Sequence, residues 1–145
     1  MAIRQISVFM ENRAGELARI TAVLAAHHID MRAINVAEGI DYGVLRMIVN
    51  DSQKGCEILL NEGFIASLTQ VTAVCVPDCP GGLASLLKIF ADAMVDVQYM
   101  YSYFGQLESQ AIMVIRVSDA DYERLRALLE EKQIHVVKEN ELGIC

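Results

Sequence analysis

The chain has 145 residues, 54% apolar and 21% charged, with a formal charge of −7 and a mean hydropathy of +0.33. So much apolar content excludes disorder, and the acidic balance argues against binding to nucleic acid. The longest uncharged run, residues 63–77, is interrupted by Ser67, Thr69, Gln70 and Thr72 and falls short of the roughly 20 apolar residues of a membrane span. A chain of this size buries about 70% of the surface its unfolded form exposes. The positive hydropathy therefore predicts more apolar surface than a lone monomer hides, and a homodimer is expected. The first residues show no charged segment leading into an apolar core and a cleavage site, so the expected location is the cytoplasm. The cysteines, Cys56, Cys75, Cys79 and Cys145, form no CxxC pair or disulfide framework and are expected as free thiols. No His or second Cys pair stands ready to complete a zinc set with Cys75 and Cys79, so no metal and no cofactor are expected.

Residues 3–10 alternate and carry β-branched side chains, the pattern of a strand. Asn12 offers a cap for a helix that carries Leu17, Ile20, Leu24 and His27 at helical spacing. Residues 31–38 and 43–49 read as two strands joined by a turn at Gly39-Ile40-Asp41-Tyr42. Asp51 or Ser52 caps a second helix bearing Cys56, Leu59 and Leu60, and Gly63 ends it. A fourth strand runs from Phe64 to about Val71.

The order then starts again. Residues 72–76 read as a strand continuing the one before. Asp78 and Pro80 open a helix with Leu83, Leu86, Leu87, Phe90 and Met94 on one side, and strands follow at 96–104 and 111–117. Ser118 or Asp119 caps a helix with Tyr122, Leu125, Leu128 and Leu129 inward, and a last strand spans about 135–137 with an extension toward Leu142. The chain is thus a worn internal repeat. Asn12-Arg13-Ala14-Gly15-Glu16-Leu17-Ala18 aligns with Asp78-Cys79-Pro80-Gly81-Gly82-Leu83-Ala84 at an offset of 66, which also pairs Ile29-Asp30 with Val95-Asp96. The offset becomes 68 further on, pairing Val49 with Val117. The expected fold is α+β, an α/β sandwich of two ferredoxin-like βαββαβ domains, residues 1–69 and 70–145, with helices on one face of each sheet. No Gly/Ser-rich linker separates them, so sheets held side by side are expected. Both faces of the strands are largely apolar: Ile6, Val8 and Met10 oppose Ile3 and Phe9, and Tyr99, Tyr101 and Tyr103 oppose Met100 and Phe104. That is the pattern of a sheet covered on both sides.

The loop between first strand and first helix carries the clearest chemistry in each half. Gly15 and Gly81 allow close approach to the backbone, and a helix start presents unpaired N–H groups to a carboxylate. Arg13 adds a positive charge, Asn12 an orienting amide, and Asp30 and Asp96 are acceptors for an ammonium group. Together these match the needs of an α-amino acid. The same residues also serve as ordinary helix caps and turn formers. Nothing reads as a catalytic set: His27 and His28 sit where a helix C-terminus favours positive charge, His135 borders the last strand, and the tyrosine stripe reads as packing.

Residues 8–17, Val-Phe-Met-Glu-Asn-Arg-Ala-Gly-Glu-Leu, followed by Ile20 and Ile29-Asp30-Met31, resemble the opening of an ACT domain. The stretch Glu11-Asn12-Arg13-x-Gly15-x-Leu17 is similar to the serine-sensing module of bacterial phosphoglycerate dehydrogenases, and with Leu45-Arg46-Met47 the first half also resembles the small subunit of acetolactate synthase. The second half resembles an ACT domain through Pro80-Gly81-Gly82-Leu83. The resemblance implies a non-catalytic regulatory protein that binds a small ligand, an amino acid, at interfaces between domains and modulates amino-acid metabolism. A regulatory subunit with a metabolic enzyme as partner is the alternative. Carried over residue by residue, it implicates Asn12, Arg13, Ala14, Gly15 and Asp30 in the first half, and Asp78, Cys79, Gly81 and Asp96 in the second. Met10 stands where the serine-sensing module has His, and Asp30 where it has Asn, changes that point away from serine toward a more apolar ligand. The second loop lacks an Arg and carries Asp78, so the first loop is expected to contribute more.

Overall fold

In the computed structural model, which describes residues 2–143, the elements are β1 (Ile3–Glu11), α1 (Glu16–Ala26), β2 (Met31–Ala37), β3 (Tyr42–Val49), α2 (Ser52–Asn61), β4 (Ile65–Pro77), α3 (Gly82–Asp92), β5 (Val97–Leu107), β6 (Gln110–Val117) and α4 (Asp119–Glu131), with a 3₁₀ turn at Glu139–Leu142. The chain divides into two compact units, residues 4–70 with 139–143, and residues 2–3 with Val71–Lys138. The division falls within β4, which is one uninterrupted strand.

In the first unit the strand order is β2-β3-β1-β4. β1 and β3 are antiparallel, with Ile6 opposite Met47 and Glu11 opposite Tyr42. Period-2 alternation sends Ile6, Val8 and Met10 of β1 and Leu45, Met47 and Val49 of β3 to one face. There they meet Ile20 and Leu24 of α1 and Cys56 and Leu59 of α2, all buried. In the second unit β4 pairs with β6, and β6 with β5, again antiparallel. Its core joins Val74 and Val76 to Ile115 and Val117, covered by Leu86 and Phe90 of α3 and Leu125, Leu128 and Leu129 of α4. These are the two ferredoxin-like halves of an α+β fold. From Val71 to Val76 every residue of β4 is buried, as its two-sided apolar pattern requires.

The backbone records the duplication more clearly than the side chains do. Gly15 and Gly81 both take the left-handed region at φ 87°, and His28 and Met94 do so at φ 58° and 57°. Gly63 and Gln133 match at the ends of α2 and α4, where the offset has grown to 70. Each of these turns also repeats its hydrogen bonds, as in Ile29 N to Leu24 O at 3.0 Å and Val95 N to Phe90 O at 2.9 Å.

Three expectations change. Asn12 does not cap α1: the chain turns through left-handed Gly15, which becomes the N-cap and makes no side-chain bond. Asn12 Nδ2 donates instead to Gly39 O at 2.6 Å. Likewise Asp78 and Pro80 belong to the turn before α3, which Gly81 caps. Finally, the last strand shrinks to a single bridge, Val136 to Val74. Cys75 N donates to His135 O at 3.0 Å and Val137 N to Ala73 O at 2.9 Å, after which the chain turns into the 3₁₀ segment. By contrast Asp51 and Ser118 cap their helices through side-chain bonds to Lys54 N and Asp121 N. Cys145 lies outside the described residues; Cys56, Cys75 and Cys79 form no disulfide among the described residues.

Candidate ligand pocket beside the first loop

Antiparallel pairing of Glu11 with Tyr42 brings the end of β1, the start of β3 and the start of α1 to one end of the first unit. A cavity of about 520 Å³ opens there, bordered by Phe9, Met10, Glu11, Arg13, Glu16, Arg19, Tyr42 and the 63–65 turn. That volume lies within the range of small-molecule sites, about 300–1,000 Å³.

Its centre is Glu16, the first residue of α1 and, among the described residues, the one charged residue that is buried. Arg13 Nε donates to Glu16 Oε2 at 3.1 Å, and Arg19 Nη2 donates to Glu16 Oε1 at 3.3 Å. The other side of Arg13 reaches Glu11, with Nη1 to Oε2 at 3.1 Å. The bond from Glu16, then the charge of Glu11, push the Arg13 guanidinium above its ordinary pKa, so it stays charged. The Arg19 guanidinium lies 4.4 Å from the centroid of the Phe64 ring, a cation–π distance. The helix N-terminus adds partial positive charge next to Glu16. The pocket thus presents two cations and two anions over an apolar floor, and both Arg side chains stay more than half exposed. An entering carboxylate can take a guanidinium in two parallel hydrogen bonds, while Glu11 or Glu16 receives an ammonium group.

Of the residues singled out from the sequence, Asn12, Arg13, Ala14 and Gly15 stand together and exposed at this end. Only Arg13 borders the cavity. Asp30 lies beyond the far end of α1, whose 11 residues span about 16 Å at 1.5 Å per residue. There Asp30 pairs with Arg32 at 3.1 Å, and its backbone N–H donates to Asn50 Oδ1 at 2.9 Å. In the second unit Asp78, Cys79 and Gly81 form the exposed turn before α3, while Asp96 lies exposed beyond its other end. Cys79 and Gly81 border a cavity of about 350 Å³. Tyr101 is buried and Tyr99 and Tyr103 are half-buried on β5, so that stripe packs. Among the described residues no three His, Cys, Asp or Glu side chains cluster as a metal would need, and no helix is long and apolar enough to cross a membrane.

Sequence reasoning passed over Glu16, Arg19, Tyr42 and Phe64. The i, i+3, i+6 spacing of Arg13, Glu16 and Arg19 was a usable signal for an ion-pair row running from the loop onto the first helix. Nothing local announced Phe64.

The chain is thus two ferredoxin-like halves, each with a glycine-capped helix after its first strand. The chain belongs to the ACT domain family: the model of an ACT domain pair matches residues 1–144. It is similar to protein BT0572 from Bacteroides thetaiotaomicron, at 34% identity over 99% of this chain and 96% of that one, with a TM-score of 0.88. It shares its fold with the aspartate kinase regulatory subunit from Thermus thermophilus in ligand-free form (18% identity, 88% and 91% of the two chains, TM-score 0.62). The corresponding subunit from Thermus flavus is similar too (19% identity, 88% and 90%, TM-score 0.59). None of the curated proteins matches this chain.

Proposed function

We propose that this chain is a non-catalytic cytoplasmic regulatory protein that binds an α-amino acid beside its first loop and, as a homodimer, modulates amino-acid metabolism. The observation that carries the reading is the Glu11–Arg13–Glu16–Arg19 row next to Phe9, Met10, Tyr42 and Phe64. Its charges are balanced and point two ways, as a zwitterion requires, and its remaining walls are apolar. Asn12, Ala14 and Gly15 stand exposed beside Arg13 in the same loop. Asp30 and Asp96 lie a helix length from the loops of their own units, so in this reading they serve sites completed by a second copy of the chain. Asp78, Cys79 and Gly81 contribute less, because the second loop has no cation. Ligand binding regulates only if it favours one arrangement of the assembly over another.

A thermal-shift screen across the amino acids tests this. Ligand at 100 times its Kd stabilises by about 2.7 kcal/mol, and an amino acid with an apolar side chain is expected to give the largest shift. The double variant Asn12→Ala, Arg13→Ala is expected to weaken binding tenfold or more. No shift with any amino acid, or unchanged affinity in the double variant, overturns the reading. Co-purification with a catalytic subunit would favour the enzyme-bound alternative.

A further inference from the structure

The cavity of the second unit occupies the same place in the repeat as the first. Cys75, Val76, Pro77, Cys79, Gly82 and Ser85 border it where Phe9, Met10, Glu11, Arg13, Glu16 and Arg19 border the other, each 66 residues earlier. Ile134 replaces Phe64 at the turn that closes both. The backbone is held and the chemistry is exchanged: every charged position of the first pocket is Pro, Cys, Gly or Ser in the second. Among the described residues no charged side chain borders it; its walls are Val76, Pro77, Leu86, Ile89 and Ile134. The polar side chains among the bordering residues are those of Ser85, Cys79 and the buried Cys75. The Ser85 hydroxyl donates to Gly81 O at 2.9 Å and keeps its own lone pairs to accept with. The Cys79 thiol is exposed.

We infer that this second pocket is a separate ligand site for an uncharged, mainly apolar small molecule, and that it does not take the zwitterion proposed for the first. A volume of about 350 Å³ suits a compact branched group, and is at the small end of known sites, about 300–1,000 Å³. An amino acid entering it would find neither an acidic side chain for its ammonium group nor a basic one for its carboxylate among the bordering residues, and placing such charges against mainly apolar walls is costly. A neutral amide can instead bury its branched body and donate one N–H to Ser85 Oγ.

The test uses the full chain with methyl-labelled Ile and Leu, titrated with isovaleramide, isovalerate and leucine while NMR spectra are recorded. Isovaleramide is expected to shift the methyls of Leu86, Ile89 and Ile134 saturably, with a Kd in the millimolar range. Isovalerate and leucine are expected to bind there at least tenfold more weakly. Ser85→Tyr, at an exposed helix position, is expected to fill the cavity and abolish the shifts, with a circular dichroism spectrum like the parent's. Arg13→Ala with Arg19→Ala is expected to leave them unchanged, so a failure of the amino-acid reading at the first pocket is seen separately. No saturable shift at these methyls, equal binding of the acid, or persistence of the shifts in Ser85→Tyr overturns the inference.

Discussion

At the scale of single residues, two neighbouring glycines in the second loop do different work. Gly81 takes φ 87° with nothing near the place of a Cβ, so a side chain there meets only backbone strain. Gly82 has ordinary φ, but a Cβ would run into the Pro77 carbonyl. Gly81→Ala is expected to cost about 1 kcal/mol, and Gly82→Ala about 2 kcal/mol or more because backbone must move. Urea denaturation of the two variants checks the order, and equal costs would refute it. Cys56 supplies a pH prediction. Burial first, and the charge of Glu57 second, push its thiol pKa up. The folded state therefore holds a proton that the unfolded chain releases. Its contribution is complete below the ordinary thiol pKa, about 8.5, and is lost as pH rises through the higher folded value. The Tm of the parent is expected to fall more steeply above about pH 9 than that of Cys56→Ala.

At the scale of elements, the helices divide by how they begin. α2 and α4 have side-chain caps, and α1 and α3 have left-handed glycines without one. Ser118→Ala is expected to cost about 1 kcal/mol, the worth of a cap, whereas Asn12→Ala removes no cap and loses only the bond to Gly39 O. Packing weighs more than capping. Leu24 is completely buried in α1 against β1 and β3, and Leu24→Ala is expected to cost about 2–5 kcal/mol through lost transfer energy and the cavity left behind. Chemical denaturation of these three variants should rank Leu24→Ala first. A cap loss equal to the leucine loss would contradict the ranking. The strand–helix order was legible because the period changes from 2 to 3.6 with each element. The final strand was not. His135-Val136-Val137 has strand composition, yet only Val136 bridges, and the chain then leaves for the 3₁₀ turn. That outcome depends on pairing with β4, more than 50 residues away, and not on local preference.

At the scale of the molecule, duplication supplied two copies of one backbone and substitution gave them different pockets. Phe9, Tyr42 and Ile65 remain 56%, 58% and 71% exposed at one end of the first unit. Phe9 sits opposite Val44 and Glu11 opposite Tyr42, and directly paired residues share a face, so the apolar exposure falls on the sheet face away from the helices. The excess hydropathy of the sequence is thus placed, at least in part, on a surface that a second chain can cover. Static light scattering at micromolar concentration is expected to give twice the chain mass, and Phe9→Glu to lower it toward one. A parent chain that scatters as a monomer would remove this explanation.

The sequence by itself determined the duplication, the order of strands and helices and the glycine-hinged loops. These rest on side-chain period and on the φ a residue tolerates, properties that act within a few positions along the chain. It also marked Arg13 as the cation of the first loop. Only the tertiary structure decided that Glu16 sits between two guanidiniums, that Phe64 lies under Arg19 and that Asn12 holds Gly39 instead of capping α1. Those outcomes depend on which distant segments meet: an ion pair or ring contact needs a distance of a few ångströms between groups that sequence spacing alone does not bring together.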